Sequence, residues 1–186
     1  MTTQTSKFFY TIEEFMNLPK SDQRQELVEG ELFDMPPTGD EHGRVSDILY
    51  RRLGNYVEDN YLGRVWFTTG FVIDPTTPKP TVRAPDVAFI KTARVPASGP
   101  GAVPVPPDLA VEVISPSDEA GDIKKKLEQY QKAAVPLIWL IYPAKQQVQV
   151  YRIANTQTFE TLGINNELDG ETIVPGFKIA INKLFS

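Results

Sequence analysis

The sequence predicts an α+β domain, an α/β-like arrangement built on a mixed sheet. Three observations carry this. Apolar residues recur with helical spacing from His42 to Asn60 and again after Ser115. Short apolar or alternating runs stand between and after those two segments. One run, Leu137 to Tyr142 ("LIWLIY"), is continuously apolar at strand length, as expected in the middle of a sheet. Helices separated by strands rather than strictly alternating with them give a sheet with mixed strand directions.

The elements follow in order. "TIEEFMNLP" predicts a short helix, with Thr11 as cap, Glu14 at capping-box spacing and Pro19 beyond its end. "QELVEGELFDM" predicts a hairpin turning at Glu29-Gly30. A long helix is expected over 42–60, on Val45, Ile48, Leu49, Leu53, Tyr56 and Val57. "RVWFTTGFVID" is β-rich, and "PTTPKPTVRAP" is a proline-punctuated connection. "DVAFI" (Asp86 to Ile90) is a short strand. The five prolines and two glycines of residues 93–107 mark a loop. The strand "LAVEVI" comes next. A second amphipathic helix shows Ile123, Leu127, Tyr130 and Ala134 on one face and ends before Pro136. After "LIWLIY", the alternating "QVQVYR" pairs with it as a hairpin, and "TFETLG", "ETIV" and "KIAIN" predict shorter terminal strands. No repeat or composition shift divides the chain, so residues 1–186 are expected to form a single domain.

Composition excludes several chemistries. The chain has 186 residues, no cysteine and one histidine. Disulfides, thiolate zinc sites, cysteine nucleophiles and multi-histidine metal sites are therefore out. No apolar run reaches membrane-span length and the N-terminus lacks a leader pattern, so a cytoplasmic location is expected. The net charge of −5 argues against a nonspecific nucleic-acid coat protein. It is compatible with a metal-dependent enzyme, where carboxylates gather and the metal supplies positive charge.

One residue is out of place. In "LAVEVI", Glu112 is a carboxylate among apolar neighbours on a strand that reads as covered on both faces. An unpaired buried carboxylate costs several kcal/mol or takes up a proton. Pairing with a lysine or arginine, or a place at a strand end in water, would answer this. So would a cation. Asp86 stands at the mouth of the preceding strand, and if the two strands are neighbours both carboxylates face one cleft and need a positive charge between them. Oxygen ligands in such a number favour Mg²⁺, with Mn²⁺ as a substitute. The helix that follows carries Lys124, Lys125 and Lys126. Lys125 points away from the apolar stripe, toward solvent, while Lys124 and Lys126 lie on its two shoulders.

The order of "PDVAF", "DLAVEVISPSD", Lys126-xxx-Tyr130 and "VPLIWLIYP" resembles a large, mostly uncharacterised bacterial family named for putative restriction endonucleases, which carries the PD-(D/E)XK nuclease core. The segment from Glu26 to Leu32, with Pro36, Pro37, Gly39, His42 and Gly43, is similar to that family's N-terminal part, so the resemblance covers nearly the whole chain. It implies a restriction-endonuclease-like core of helix, three strands, helix and strand, with an N-terminal hairpin and a β-rich C-terminal tail. It makes Asp86 and Glu112 the motif carboxylates and metal ligands. The lysine usual two positions after the glutamate is Ile114 here, and the resemblance moves that role to Lys126. Glu29, Glu31 and His42 are accessory candidates near the cleft. Glu29 and Glu31 are equally readable as a solvated turn, and His42 as a capping or surface residue.

The implied function is Mg²⁺-dependent hydrolysis of DNA phosphodiester bonds. Two other readings stay open: a nuclease-like fold that binds nucleic acid or protein without cutting, and a structural β-rich oligomer with Glu112 in an ion pair. A homo-oligomer, with a dimer favoured, is expected because two-fold DNA sites match two-fold proteins. The tail from Gln146 to Ser186 is its expected interface.

Overall fold

The computed structural model describes residues 8–19, 21, 23–116 and 118–186. Residues 1–7, on which the leader expectation falls, lie outside it. The elements run α1 (Ile12–Met16), β1 (Gln25–Val28), β2 (Glu31–Asp34), α2 (Asp40–Asp59), β3 (Gly63–Phe67), β4 (Phe71–Asp74), β5 (Thr81–Arg83), β6 (Val87–Lys91), β7 (Leu109–Val113), α3 (Ala120–Lys132), β8 (Leu137–Tyr142), β9 (Gln147–Arg152), β10 (Asn155–Leu162), β11 (Glu167–Asp169) and β12 (Lys178–Ala180).

The central sheet has six strands in the order β10-β9-β8-β7-β6-β3. It is mixed. The β7–β8 pair is parallel, joined by the α3 crossover, and the other pairs are antiparallel. β8, the "LIWLIY" run, lies between two partners and is almost wholly buried. Strand alternation sorts the side chains into two layers. Val87, Phe89, Leu109, Val111 and Trp139 meet Val45, Leu49, Leu53 and Val57 of α2. Ala88, Ile90, Ala110, Ile138 and Leu140 face the other way, toward Tyr130 and the flanking Ile123 and Leu127 of α3.

A second sheet, β2-β1-β5-β4, lies beside this second layer. Its Leu27, Val72 and Val82 pack under Ile12, Phe15 and Met16 of α1. The hairpin turns at Glu29 and Gly30, both with positive φ (53° and 80°), the geometry that a two-residue turn between twisted strands requires. A Cβ on Gly30 would come within 2.9 Å of Phe9 Cβ and the Pro78 carbonyl, so the position admits no side chain. The α1 capping box is formed as expected: Thr11 Oγ1 accepts from the Glu14 N–H, and Glu14 accepts from the Thr11 N–H.

Three expectations are corrected. The proline-rich connection before Asp86 contains a real strand, β5, whose three residues are buried between β1 and β4. "ETIV" is a turn rather than a strand, and its Val174 joins Leu168, Phe177 and Ile179 against the α2 side of the core. Ala134 is not on the α3 face. It has φ 56° just beyond the helix end, a left-handed residue that turns the chain into β8.

The α2 layer makes a stability prediction. Leu49 is fully buried, so Leu49→Ala removes packed methyl groups and leaves a cavity. The expected loss is about 2–5 kcal/mol in urea unfolding, whereas Tyr61→Ala, at a nearly fully exposed position, should stay within about 0.5 kcal/mol of the parent.

Candidate active site

β6 and β7 pair with Val87 opposite Val111 and Ala88 opposite Ala110. Asp86 stands just before β6, where its N–H donates to the Val111 carbonyl at 3.0 Å, and Glu112 is the residue after Val111. Both carboxylates are buried at this end of the strand pair, Asp86 at 3% and Glu112 at 5% exposure. Both line a cleft of about 420 Å³ between the second sheet, α3 and the ends of β6 and β7.

Glu112 is held at both oxygens. Lys126 Nζ donates to Oε2 at 3.0 Å, and the Tyr130 hydroxyl donates to Oε1 at 2.6 Å. These two donors lie four apart on α3, one turn of the helix, so a single face supplies both. Lys126 also lies 3.7 Å from Oε1 of Glu26, a residue of β1 that is only 1% exposed. Glu26 is itself fixed by Arg83 NH1 at 2.7 Å and by the Ala84 N–H at 2.8 Å. Arg83 Nε in turn donates to Gln129 of α3 at 2.7 Å. The partly buried lysine thus sits between two carboxylates from two different sheets.

Asp86 belongs to a second cluster that touches the first. Its Oδ2 accepts from the Val113 N–H at 2.8 Å and stands 3.1 Å from His42 Nε2. Its Oδ1 has the Arg24 guanidinium at 3.9 Å. His42 is in the first turn of α2, with its Nδ1 buried and unpartnered.

The electrostatics follow from burial and from the surplus of carboxylates. Burial pushes Glu112 up to about 7. Lys126 pulls it back, while Asp86 and Glu26 push it further up. Burial raises Glu26 as well, but Lys126, Arg83 and the Ala84 N–H outweigh it and hold that carboxyl below its usual value. Burial works against the Lys126 ammonium, yet Glu112 and Glu26 prevail and raise it. For His42 burial is again opposed, by the hydrogen bond and charge of Asp86, and the imidazole is raised. Burial lifts the Tyr130 hydroxyl well above its ordinary range, so it remains a donor.

The remaining candidates fall differently. Lys124 is largely exposed, 3.7 Å from Glu128. Lys125 is not simply solvated: it bridges back to Glu29 at 3.0 Å, tying α3 to the hairpin turn. Glu29 is thereby engaged away from Glu112, and neither Glu29 nor Glu31 lines the cleft. The carboxylate the hairpin does supply is Glu26. Sequence reading missed it, and missed Arg83 and the hydroxyl role of Tyr130. Glu26 alternates with Leu27 in a strand pattern, a signal that it faces opposite to the core, but nothing local says what lies there.

The chain's likeness to known proteins can be set against this geometry. The model of the Uma2 family, described as "Putative restriction endonuclease", matches residues 12–182.

The chain belongs to the Uma2 family.

Among curated proteins there is no significant match. Among solved structures, the chain is similar to one described as "a putative nuclease belonging to DUF820" from Anabaena variabilis ATCC 29413. The two are 21% identical, with 95% of this chain and 97% of the other covered and a TM-score of 0.80. That likeness carries the fold: the mixed α+β architecture is that of a nuclease-like neighbour. No helix among the described residues is long and apolar enough to cross a membrane.

Among the described residues no three histidine or carboxylate side chains cluster tightly enough to hold an ion alone. Mg²⁺, however, takes one or two carboxylates and keeps several waters. Asp86 and Glu112 are hard oxygen donors that line one cleft, and the ion-pair partner of Asp86 Oδ1 among the described residues is a guanidinium 3.9 Å away. The residues fit a divalent cation at the cleft.

Two outcomes are expected here. Glu112 is a carboxyl whose folded value, about 7, lies above its ordinary value, 4.5. Between those two values the folded chain holds more protons than the unfolded one, so this group makes stability fall as pH rises through that window. Glu112→Gln should therefore be more stable than the parent in urea unfolding at pH 8, with the gain shrinking to nothing toward pH 4.5. Arg83→Leu should cost about 3–5 kcal/mol in the same assay, because it leaves buried Glu26 without its closest cation.

Proposed function

We propose that this Uma2-family protein is a Mg²⁺-dependent DNA endonuclease. The observation that carries the reading is the convergence of Asp86, just before β6, and Glu112 of β7 on one cleft, with Lys126 on the Glu112 carboxylate. Membership in a family described as "Putative restriction endonuclease", whose fold class generally uses divalent metals, supports the reaction class.

Asp86 and Glu112 would hold the cation. When bound, it would polarise the scissile phosphoryl group and activate water. The protein's own groups do the rest. Lys126, fixed between Glu112 and Glu26, keeps its positive charge at the cleft, where it offsets the charge that grows on phosphate oxygens as water replaces one ester oxygen. Tyr130 fixes the rotamer of Glu112, and the Val113 N–H fixes that of Asp86. His42 orients Asp86 from the far side. Glu29 and Glu31 receive no role. Dimerisation is retained in the reading. Most apolar residues of the tail are consumed in the chain's own core, so the remaining surface is the β10 edge with exposed Phe159.

A second reading, a nuclease fold that binds without cutting, is favoured by one fact: both Glu112 oxygens are already engaged by donors of α3. Supercoiled plasmid with Mg²⁺ or Mn²⁺ decides between them. The expected result is nicking or linearisation by the parent, a loss of at least about a hundredfold in Asp86→Asn, Glu112→Ala and Lys126→Ala, and near-parent rates in Lys124→Ala. Folded, metal-supplied parent protein that leaves both the plasmid and a single-stranded circular DNA intact would overturn the endonuclease reading.

A further inference from the structure

The cleft has a second lobe. A neighbouring cavity of about 290 Å³ shares Arg24, His42, Asp86 and the Met35 to Thr38 segment with it. The two lobes therefore meet at Asp86. Each carries an aromatic ring that the core does not use. Phe33 of β2 lines the larger lobe at 47% exposure, and Phe67 at the end of β3 lines the smaller at 38%. Phe67 leans on Tyr50 of α2, ring centroids 5.0 Å apart, which fixes its orientation.

Both rings are partly exposed in lobes that meet at Asp86, and the walls around them include Met35, Pro36, Pro37 and Ile114. A double helix presents its sugar-phosphate ridges outward and keeps its base faces stacked inside, so such a wall has nothing to grip on it. An unpaired strand offers base faces, which stack on aromatic side chains whatever the sequence. Charge points the same way. Asp34, Asp118, Glu119 and Asp122 join Glu26, Asp86 and Glu112 in the lining of the larger lobe, against Arg24, Arg83, Lys125 and Lys126, and Lys125 is bound to Glu29. Duplex DNA brings one negative charge per roughly 1.7 Å of axis, a single strand about half that density. An acidic mouth therefore repels a duplex more than a single strand.

We propose that the cleft takes single-stranded DNA, with bases stacked on Phe33 and Phe67 on either side of the bond presented to Asp86 and Glu112. This rests on the nuclease reading above and names its substrate class.

Binding is measured by fluorescence anisotropy of a short labelled oligothymidylate and of a blunt duplex of equal length, with Ca²⁺ in place of Mg²⁺ and moderate salt. Expected are single-strand affinity at least about tenfold above duplex affinity, a loss of roughly tenfold in each of Phe33→Ala and Phe67→Ala, and retention in Phe33→Trp and Phe67→Trp. Tyr61→Ala, at an exposed ring that lines neither lobe, should bind like the parent. Thermal melts of the variants identify any that lose the fold, and the tryptophan pair then carries the comparison. Duplex binding equal to or tighter than single-strand binding, or folded alanine variants that bind like the parent, overturns the inference. If plasmid is cut but duplex is preferred, the nuclease reading stands and this one falls. If the strand binds through both rings but nothing is cut, the binding assignment stands and the nuclease reading falls.

Discussion

Removing the Glu112 carboxylate from water is tolerable only because Lys126 and Tyr130 meet it from one face of α3. That requirement reaches across the molecule. Lys126 is largely covered in its turn and leans on Glu26, so the four-stranded sheet must stand where β1 can supply that charge. Glu26 needs Arg83 from β5, and Arg83 needs Gln129 from α3. The chain of contacts closes on the helix where it began. Both sheets and α3 are thereby set by polar contacts as well as by apolar packing, and such networks hold a single arrangement only when every member is satisfied.

The arrangement is balanced short of neutrality. Glu26, Glu112 and Asp86 are three buried carboxylates, while Lys126 and Arg83 are the cations among them, with Arg24 and His42 at the edge toward Asp86. Glu26 ends below its ordinary value and Glu112 above it, though Lys126 lies near both. The difference is Arg83 and the Ala84 N–H, which hydrogen-bond Glu26 and not Glu112. The carboxyl that faces the cleft is therefore the one that keeps its proton to higher pH, and the one beneath it is the fixed structural charge.

What could be read from the chain was what local period and local burial encode. The alternation of "LAVEVI" put Glu112 on the Ala110 face, and the helical wheel put Lys126 on a shoulder from which it reaches Glu112. The Thr11 and Glu14 cap needed only four residues. What escaped was non-local. β5 is three residues long between prolines, too short for a period, and owes its existence to β1 and β4 on either side. Glu26 and Arg83 each look like ordinary surface charges, and only their pairing across 57 positions explains their burial. Asp108 shows the limit from the other side. It too is a buried carboxylate next to a core strand, yet it accepts from the Lys91 N–H and pairs with Arg94, fastening the proline-rich loop. Sequence alone does not separate such a fastener from a site residue. The identity of the partners does: Asp108 ties the end of β6 to the loop that follows, whereas Glu112 ends its contacts at a cleft.

The displaced lysine has a structural consequence of its own. With Ile114 at the position two beyond Glu112, strand geometry can no longer deliver an ammonium to the carboxylate, and the delivery falls to α3. A helix can slide or rotate over a sheet more readily than a strand can slip its register, since a one-residue slip would invert every side chain. Something must therefore pin α3. Tyr130 does so through both halves of its side chain: the ring is fully buried among Ala88, Ala110 and Leu140, and the hydroxyl ends on Glu112 Oε1. The Lys125–Glu29 and Arg83–Gln129 contacts pin the same helix from the other sheet. The contacts that would place the catalytic charge and those that set the register of α3 are thus the same, so a change that loosens the helix removes the chemistry along with the packing.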